Sequence, residues 1–370
     1  MAFILSRRNL IQGAGALAAV AAFPGIAFAA AATNRRFVFI IQRGAADGLA
    51  VVPPVGDPAL QGLREALVDP KALKLDSHFA LHSALSATAP LFAAGEARAY
   101  HAVATAYRER SHFDGQNMLE SGASSPYTLQ SGWIGRLLSL LPPPEANALA
   151  LAPGVPLALR GSLPVATYSP NRLRAPSDDL LLRAGGLYEA DSQFGPLWAE
   201  AMKTKLLTRD IGGNAGRNGA DLGKLAASLL GPDNGARIVM IETGGWDTHS
   251  AQNARLSAQL HGLDGLLAAL KQGLAAEWKN TLVLVATEFG RTAGINGTGG
   301  TDHGTASVAL LLGGALPPGA PVVADWPGLS KNTLYEQRDL QPTAKLKDVV
   351  NKAIITHYDL DPAQITSLFI

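Results

Sequence analysis

The stretch Arg237-Ile-Val-Met-Ile-Glu-Thr-Gly-Gly-Trp-Asp-Thr-His-Ser250, RIVMIETGGWDTHS, decides how this chain is read. Its first part is an apolar run of strand length, the pattern of a strand covered on both faces of a parallel sheet. Two glycines then let the backbone turn, and a segment with helical periodicity, Ala251 to Glu277, follows. The turn between them carries Asp247 and His249, and two readings compete there. In one, Asp247 or Ser250 caps the coming helix, as Asp and Ser routinely do. In the other, Asp247 and His249, two residues apart in an extended loop, fall on one side and share a metal ion.

Working outward, the same alternation recurs. Phe37–Gln42, Ala97–Thr105, Ala148–Ala152, TLVLVAT (281–287) and SVALLLG (307–313) read as strands. Leu81, Leu85, Thr88, Leu91 and Phe92 follow helical spacing, and Gly95 is placed to close that helix. A last helix runs from Thr343, its expected cap, to His357. The middle carries helices at Asp178–Leu187 and Ser192–Leu207 and then the Gly/Asn-rich GGNAGRNG (212–219), a flexible loop or a lid. Strands alternating with helices predict an α/β fold, a three-layer α/β/α sandwich around a mostly parallel central sheet. One domain is expected over residues 30–370, with an irregular insert or lid near 170–235.

Residues 1–29 stand apart. Ser6-Arg7-Arg8-Asn9-Leu10 is a twin-arginine pattern, followed by an Ala/Gly-rich apolar stretch and by Ala27-Phe28-Ala29, small residues at the positions a signal peptidase reads. The apolar stretch, roughly 15 residues, is short of the ~20 that span a bilayer, and Pro24 and Gly25 interrupt it. The expectation is a cleaved signal handled by the twin-arginine translocase, a periplasmic or extracellular product, and no stable membrane span after cleavage. The formal net charge of +1 less Arg7 and Arg8 leaves −1, a balance that excludes nucleic acid and anionic membranes as evident partners. The chain has 0 Cys, which suits a protein that folds in a reducing compartment before export.

Ligands of open α/β sheets bind beyond the carboxyl ends of the strands, so the chemistry is expected in the segments there. Asp47 follows the first strand, Asp247 and His249 follow the stretch quoted above, and Glu288 and Arg291 follow TLVLVAT. Asp302 and His303 come just before SVALLLG. Each alone has an ordinary role: Asp47 as a turn residue, Glu288 as a strand-end charge, His303 as a turn histidine. Gathered at one edge, such carboxylates and imidazoles suit a divalent cation, which offsets their mutual repulsion. Mixed O and N ligands favour Zn or Mn, with Ca or Mg as alternatives, in one or two ions. Upstream, Ser111 sits where a helical stretch begins, either as an ordinary N-cap or as a nucleophile, with Arg108, Arg110 or Arg136 available to hold oxyanions.

These residues resemble a family. The order strand–Asp, strand–Ser–helix, strand–Asp-x-His, strand–acid and late His is similar to the alkaline phosphatase and sulfatase superfamily. The phrases RGAADGL, FALHSAL, RSHFDGQNMLESG, GWIGR, GGWDTH, TEFGRT and TDHG, spread over about residues 37–330, resemble one branch of it, bacterial proteins of unknown function that typically bear twin-arginine signals. The resemblance implies an alkaline phosphatase-like fold, with Asp47, Asp247, His249, Glu288, Asp302 and His303 as metal ligands and Ser111, His112 and Arg291 as catalytic residues. Two departures stand out. Phe289 follows Glu288 where superfamily phosphatases place a His, so one ligand is absent or comes from His112 or His82. No Cys/Ser-x-Pro-x-Arg motif occurs near Ser111, which argues against a true sulfatase. The expected function is an exported metal-dependent hydrolase of phosphate or sulfate esters, acting on a small-molecule or glycan ester. The alternative is a non-catalytic binding or assembly protein on a degenerate scaffold of this kind.

Overall fold

The computed structural model describes residues 34–142, 147–169, 178–188, 191–192, 194–207, 218–231 and 235–370. At its centre is β1 (Arg36–Gln42), where every side chain from Phe37 to Ile41 is fully buried, as its unbroken apolar run requires. The remaining strands of the sheet are β2 (Ala97–Ala104), β3 (Ala148–Leu151), β4 (Ala166–Thr167), β5 (Ile238–Thr243), β6 (Thr281–Ala286), β7 (Ser307–Leu312), β8 (Val322–Val323) and β9 (Ala344–Lys345). They form a 9-stranded sheet in the order β8-β2-β7-β6-β1-β5-β3-β4, with β9 also paired to β2. On either side of β1, β5 and β6 run parallel to it, with Phe37 opposite Ile238 and Leu282.

The direction of β7 positions the site. This strand is antiparallel to both β2 and β6, while the other pairings in the sheet are parallel. Segments that follow β1, β5 and β6 leave at one edge. Because β7 is reversed, the segment that precedes it, Thr301 to Gly304, arrives at that same edge.

Alternate residues of the strands fill two cores. Val38, Ile40, Val239, Ile241 and Val283 face one side with Leu225, Leu256 and Leu260, which belong to the helices covering it. Phe37, Phe39, Met240 and Leu284 face the other with Trp133, Leu137, Val350 and Ile354. The layers are therefore helix, sheet, helix. Each side chain so removed from water contributes about 1.5–3 kcal/mol. The labelled helices are α1 (His112–Ser121), α2 (Gly219–Leu230), α3 (Gln252–Leu274) and α4 (Leu346–Tyr358). On the first face α2 and α3 lie so close that a Cβ on Gly219 would stand 1.7 Å from the Gly262 carbonyl oxygen. Only glycine permits that approach.

Several expectations change. The segment with helical spacing at Leu81–Phe92 is a hairpin strand (Ala80–Leu81), a 3₁₀ turn (Ser83–Leu85) and a short helix (Ala89–Ala93). Asp264 of α3 takes the backbone N–H groups of Ala87 and Thr88, and Pro90 opens a new helix, so one continuous helix does not form. Helix α2 has no counterpart among the expected elements; it starts inside GGNAGRNG, with Asn218 capping it through the Asp221 N–H. Neither Asp247 nor Ser250 caps α3, whose N-cap is Ala251 with φ 46° and no side-chain bond. Nor does Thr343 cap α4, because Ala344 and Lys345 first pair with β2 and Lys345 becomes the N-cap. Helices do occupy Asp178–Tyr188 and Phe194–Leu207. The twin-arginine segment and residues 212–217 of the loop or lid lie outside the described residues. Among the described residues no helix is long and apolar enough to cross a membrane.

Candidate metal centre

His112, Asp247 and His303 offer ligand atoms that all lie within 4.8 Å of one another. They come from the first residue of α1, the loop after β5 and the segment before β7. His249 joins them, its Nε2 3.0 Å from both Asp247 Oδ1 and His303 Nε2.

The outer partners of the three imidazoles define their tautomers. His112 Nδ1 lies 2.8 Å from Glu288 Oε1, His303 Nδ1 3.0 Å from the Arg110 carbonyl oxygen, and His249 Nδ1 3.2 Å from Asp302 Oδ1. An ionised carboxylate and a carbonyl only accept, so each Nδ1 donates outward. Three Nε2 lone pairs are thereby turned toward one carboxylate, at 3.5 Å from His112 to Asp247 Oδ2 and 3.3 Å from His303 to Asp247 Oδ1. His112 Nε2 is buried without a hydrogen-bond partner. Lone pairs facing each other in this way repel unless a proton or a cation lies among them. Imidazoles whose second nitrogen is fixed by a carboxylate or carbonyl are the usual ligands of Zn and similar metals, and two His with one carboxylate fit such an ion.

Glu288 is fully buried and accepts from Gly44 N–H at 2.8 Å, Gln116 Nε2 at 3.0 Å and Thr287 Oγ1 at 3.0 Å as well as from His112. Burial alone would raise its pKa; the bonds from His112, Gln116 and Gly44 outweigh that and lower it. Its bond raises the pKa of His112 in turn, against the cost of burial. His303 is lowered, by burial first and then by repulsion from His112 and Arg291. For Asp247 burial is the largest influence and acts upward, but Arg291, His249 and His112 together bring its pKa down. Arg291 is 1% exposed, with Nη1 2.7 Å from Asp247 Oδ1 and Nη2 buried without a partner.

Backbone geometry holds these loops together. Gly44 has φ 119°, and a Cβ there would stand 2.6 Å from the Asp247 nitrogen, so the loops after β1 and β5 meet only at a glycine. Arg110, whose carbonyl receives His303, sits in the left-handed region at φ 59°, held by bonds from its guanidinium to the buried Asp339 at 3.0 and 2.9 Å.

The expected site residues fall into distinct places. Asp247 and His303 converge with His112, and His249 touches two of them. Glu288 and Asp302 stand behind, on His112 and His249, as the groups that orient them. The structure corrects the expectation for Asp47. It is 1% exposed, and its oxygens take Arg64 Nη1 at 3.1 Å, Leu49 N–H at 3.1 Å and Gln252 Nε2 at 2.5 Å, so it caps the turn Gly48–Val51 and pairs with Arg64. Its ordinary role as a turn residue is the one realised. Ser111 occupies the N-cap position of α1 without a side-chain cap bond, its N–H 3.2 Å from Tyr107 Oη. His82 pairs instead with Asp69 at 3.6 Å.

Some contributors went unread in the sequence. Gln116 lies one turn after His112 on α1, and both face Glu288, a spacing of i and i+4 that would have placed them together. Behind Gln116, Arg43 reaches its Oε1 at 2.9 Å and pairs with Glu120 and Glu242 at 2.9 and 2.6 Å. Burial opposes the charge of Arg43, yet these acids raise its pKa. A buried chain also links Gln252 Oε1 to Thr301 Oγ1 at 2.6 Å and that hydroxyl to Arg291 Nε at 3.3 Å. Nothing local in the sequence marks Asp339, 0% exposed, as a support of the Arg110 turn.

Fold and site together define an α/β protein with a histidine–carboxylate cluster at the carboxyl edge of a mostly parallel sheet. The chain belongs to the family described as protein of unknown function (DUF1501), whose model matches residues 34–366. Among curated proteins none matches it. Solved structures similar to it include Ps i-CgsB in complex with k-i-k-neocarrahexaose, at 11% identity over 89% of this chain and 73% of that one, with a TM-score of 0.40. The C-terminal periplasmic domain of EcEptC from Escherichia coli, in complex with Zn, is similar at 9% identity over 75% and 73%, TM-score 0.38. Alkaline phosphatase from the Antarctic bacterium TAB5 is similar at 12% identity over 75% and 91%, TM-score 0.37.

Proposed function

We propose that this protein is an exported, metal-dependent hydrolase of phosphate or sulfate esters. The observation that carries the reading is the set of three imidazoles, each fixed from outside through Nδ1, whose Nε2 atoms meet at the Asp247 carboxylate. His112, Asp247 and His303 would hold one divalent ion, with His249 beside them; the two-nitrogen, one-oxygen set favours Zn or Mn. A dication there supplies Lewis acidity toward the ester.

The chain's own groups supply the rest. Glu288 keeps the His112 proton on Nδ1 and its Nε2 free. Arg291 Nη2, buried and unpartnered, is available to a non-bridging oxygen of the phosphoryl or sulfuryl group. Ser111, next to His112 at the start of α1, is the nucleophile of this reading, with water as its alternative. In sum, water adds across the ester and releases an alcohol and phosphate or sulfate. Export rests on the twin-arginine pattern of residues 6–10.

The test is metal content of protein purified from the exported fraction, with Asp247→Ala as control, followed by turnover of aryl phosphate and aryl sulfate esters. Stoichiometric metal lost in the variant, together with turnover, is the expected result. A metal-free wild type, or equal metal in both, would overturn the site. One observation favours the binding-protein alternative: Arg291 already engages Asp247, as in an anion-binding cluster. Metal and ester binding without turnover would select it.

A further inference from the structure

A cavity of about 320 Å³ lies at the far end of α1 from the metal centre. That volume is within the ~300–1,000 Å³ of small-molecule sites. Its walls are Phe39 and Leu284 from the sheet, Met118 and Leu119 from α1, Trp133, and Val350 from α4. None of the clustered histidines or carboxylates of the metal centre borders it.

The walls are mainly apolar, with the hydroxyls of Thr105 and Ser124 among them. Its lining side chains nevertheless include three cations: Arg108, whose Nη1 donates to the Thr105 and Tyr107 carbonyls at 2.6 and 2.7 Å, and Lys345 and Lys347. Lys345 and Lys347 are exposed, and among the described residues neither they nor Arg108 form an ion pair. The two lysines flank Leu346, a wall residue at the first turn of α4, and so stand where the apolar space meets the solvent. Phe369 closes another side, stacked on Trp133 at a centroid distance of 5.5 Å. A mainly apolar interior under two lysines without an ion pair matches a single aliphatic chain ending in an anion.

We infer that this cavity binds an anionic single-chain amphiphile of the fatty carboxylate class, its chain against Phe39, Leu119 and Trp133 and its head at Lys345 and Lys347. The inference is independent of the proposed hydrolysis.

Calorimetric titration of the full-length mature protein with laurate tests it, with 1-dodecanol as the uncharged analogue of equal chain length. Saturable binding of one laurate is expected, about tenfold or more tighter than decanoate because two methylenes are removed from water. The double variant Lys345→Glu/Lys347→Glu changes exposed residues only and is expected to weaken laurate at least tenfold while leaving dodecanol unchanged. No saturable binding of laurate would overturn the proposal. So would equal affinity for laurate and dodecanol, or a double variant that binds laurate as the wild type does.

Discussion

Replacing Asp47 with Ala separates a structural carboxylate from a metal ligand. In the fold Asp47 faces Arg64, and both side chains are 1% exposed. Removing one partner of a buried pair leaves an uncompensated charge, at a cost of about 3–5 kcal/mol. Arg64 keeps two acceptors, the carbonyls of Ala293 and Thr292 at 3.0 Å each, which draws the figure toward the lower end. Loss of the cap on Leu49 N–H adds about 1 kcal/mol. The expected destabilisation is therefore about 4 kcal/mol, read from urea denaturation as a lower midpoint with an unchanged slope. Arg64→Met is expected to destabilise as well, since it strands the Asp47 charge. The double variant should cost at least ~2 kcal/mol less than the sum of the two, because the pair fails once and not twice. Metal content per folded Asp47→Ala molecule should equal that of the wild type. A variant within ~1 kcal/mol of wild type in stability, or one that keeps its stability and loses the metal, would refute this assignment.

Glu288→Gln should lower metal affinity about 10- to 100-fold, measured by competition with a chelator, because the His112 tautomer is no longer fixed by a charge. Equal affinity would show that Glu288 does not orient the ligand. Arg291→Met should weaken binding of inorganic phosphate about tenfold to a hundredfold, as loss of a charge-assisted bond predicts, and calorimetry of the metal-loaded protein checks it. Acid stability should follow two buried histidines: burial lowers His101 to about 4 and His357 to about 3. Their unfolded values lie near 6.5, so between those limits the unfolded chain binds more protons, and stability falls as pH drops from about 6.5 through about 4. For His101 alone the loss is on the order of 3 kcal/mol. Denaturation midpoints that do not change from pH 7 to pH 4.5 would contradict it.

The sheet was legible where its strands, such as Phe37–Ile41, are unbroken apolar runs of strand length; the two-residue strands Ala80–Leu81 and Ala344–Lys345 were hidden in helical spacing. Its polarity was not. Whether β7 runs with or against β6 is decided by pairing with β2 across more than 200 residues of chain, and no local pattern records that. The reading nonetheless placed Asp302 and His303 among the site residues, and the reversal of β7 is the physical reason they reach its edge. Which residues face the cluster and which stand behind it also lay beyond the sequence. Asp47, Glu288 and Asp302 look alike as loop acids, and only burial and partners separate an Arg64 counter-ion from the carriers of His112 and His249. His112 was legible as a catalytic residue or, with His82, as a source of the missing ligand; its approach to Asp247 depends on how α1 is set against the loop after β5.

The balance of charge at the cluster bears on what it recognises. Asp247, Glu288 and Asp302 are all lowered in pKa and stay ionised, and among the described residues Arg291 is the permanent cation that touches Asp247. Three carboxylates against one guanidinium leave an excess of two negative charges, which would repel a phosphate or sulfate ester. A bound dication cancels that excess, and at close range inside a partly buried site the change is worth several kcal/mol to an anion. It also weakens the hold of Asp247 on Arg291, since the same carboxylate then faces the ion, and releases the guanidinium toward substrate. Under the proposed function, metal and anionic ester should therefore bind cooperatively. Phosphate affinity should rise at least tenfold when Zn is present and should stay low in Asp247→Ala at any metal concentration. Equal phosphate affinity with and without Zn would mean that Arg291 binds anions unaided, the behaviour of the binding-protein alternative.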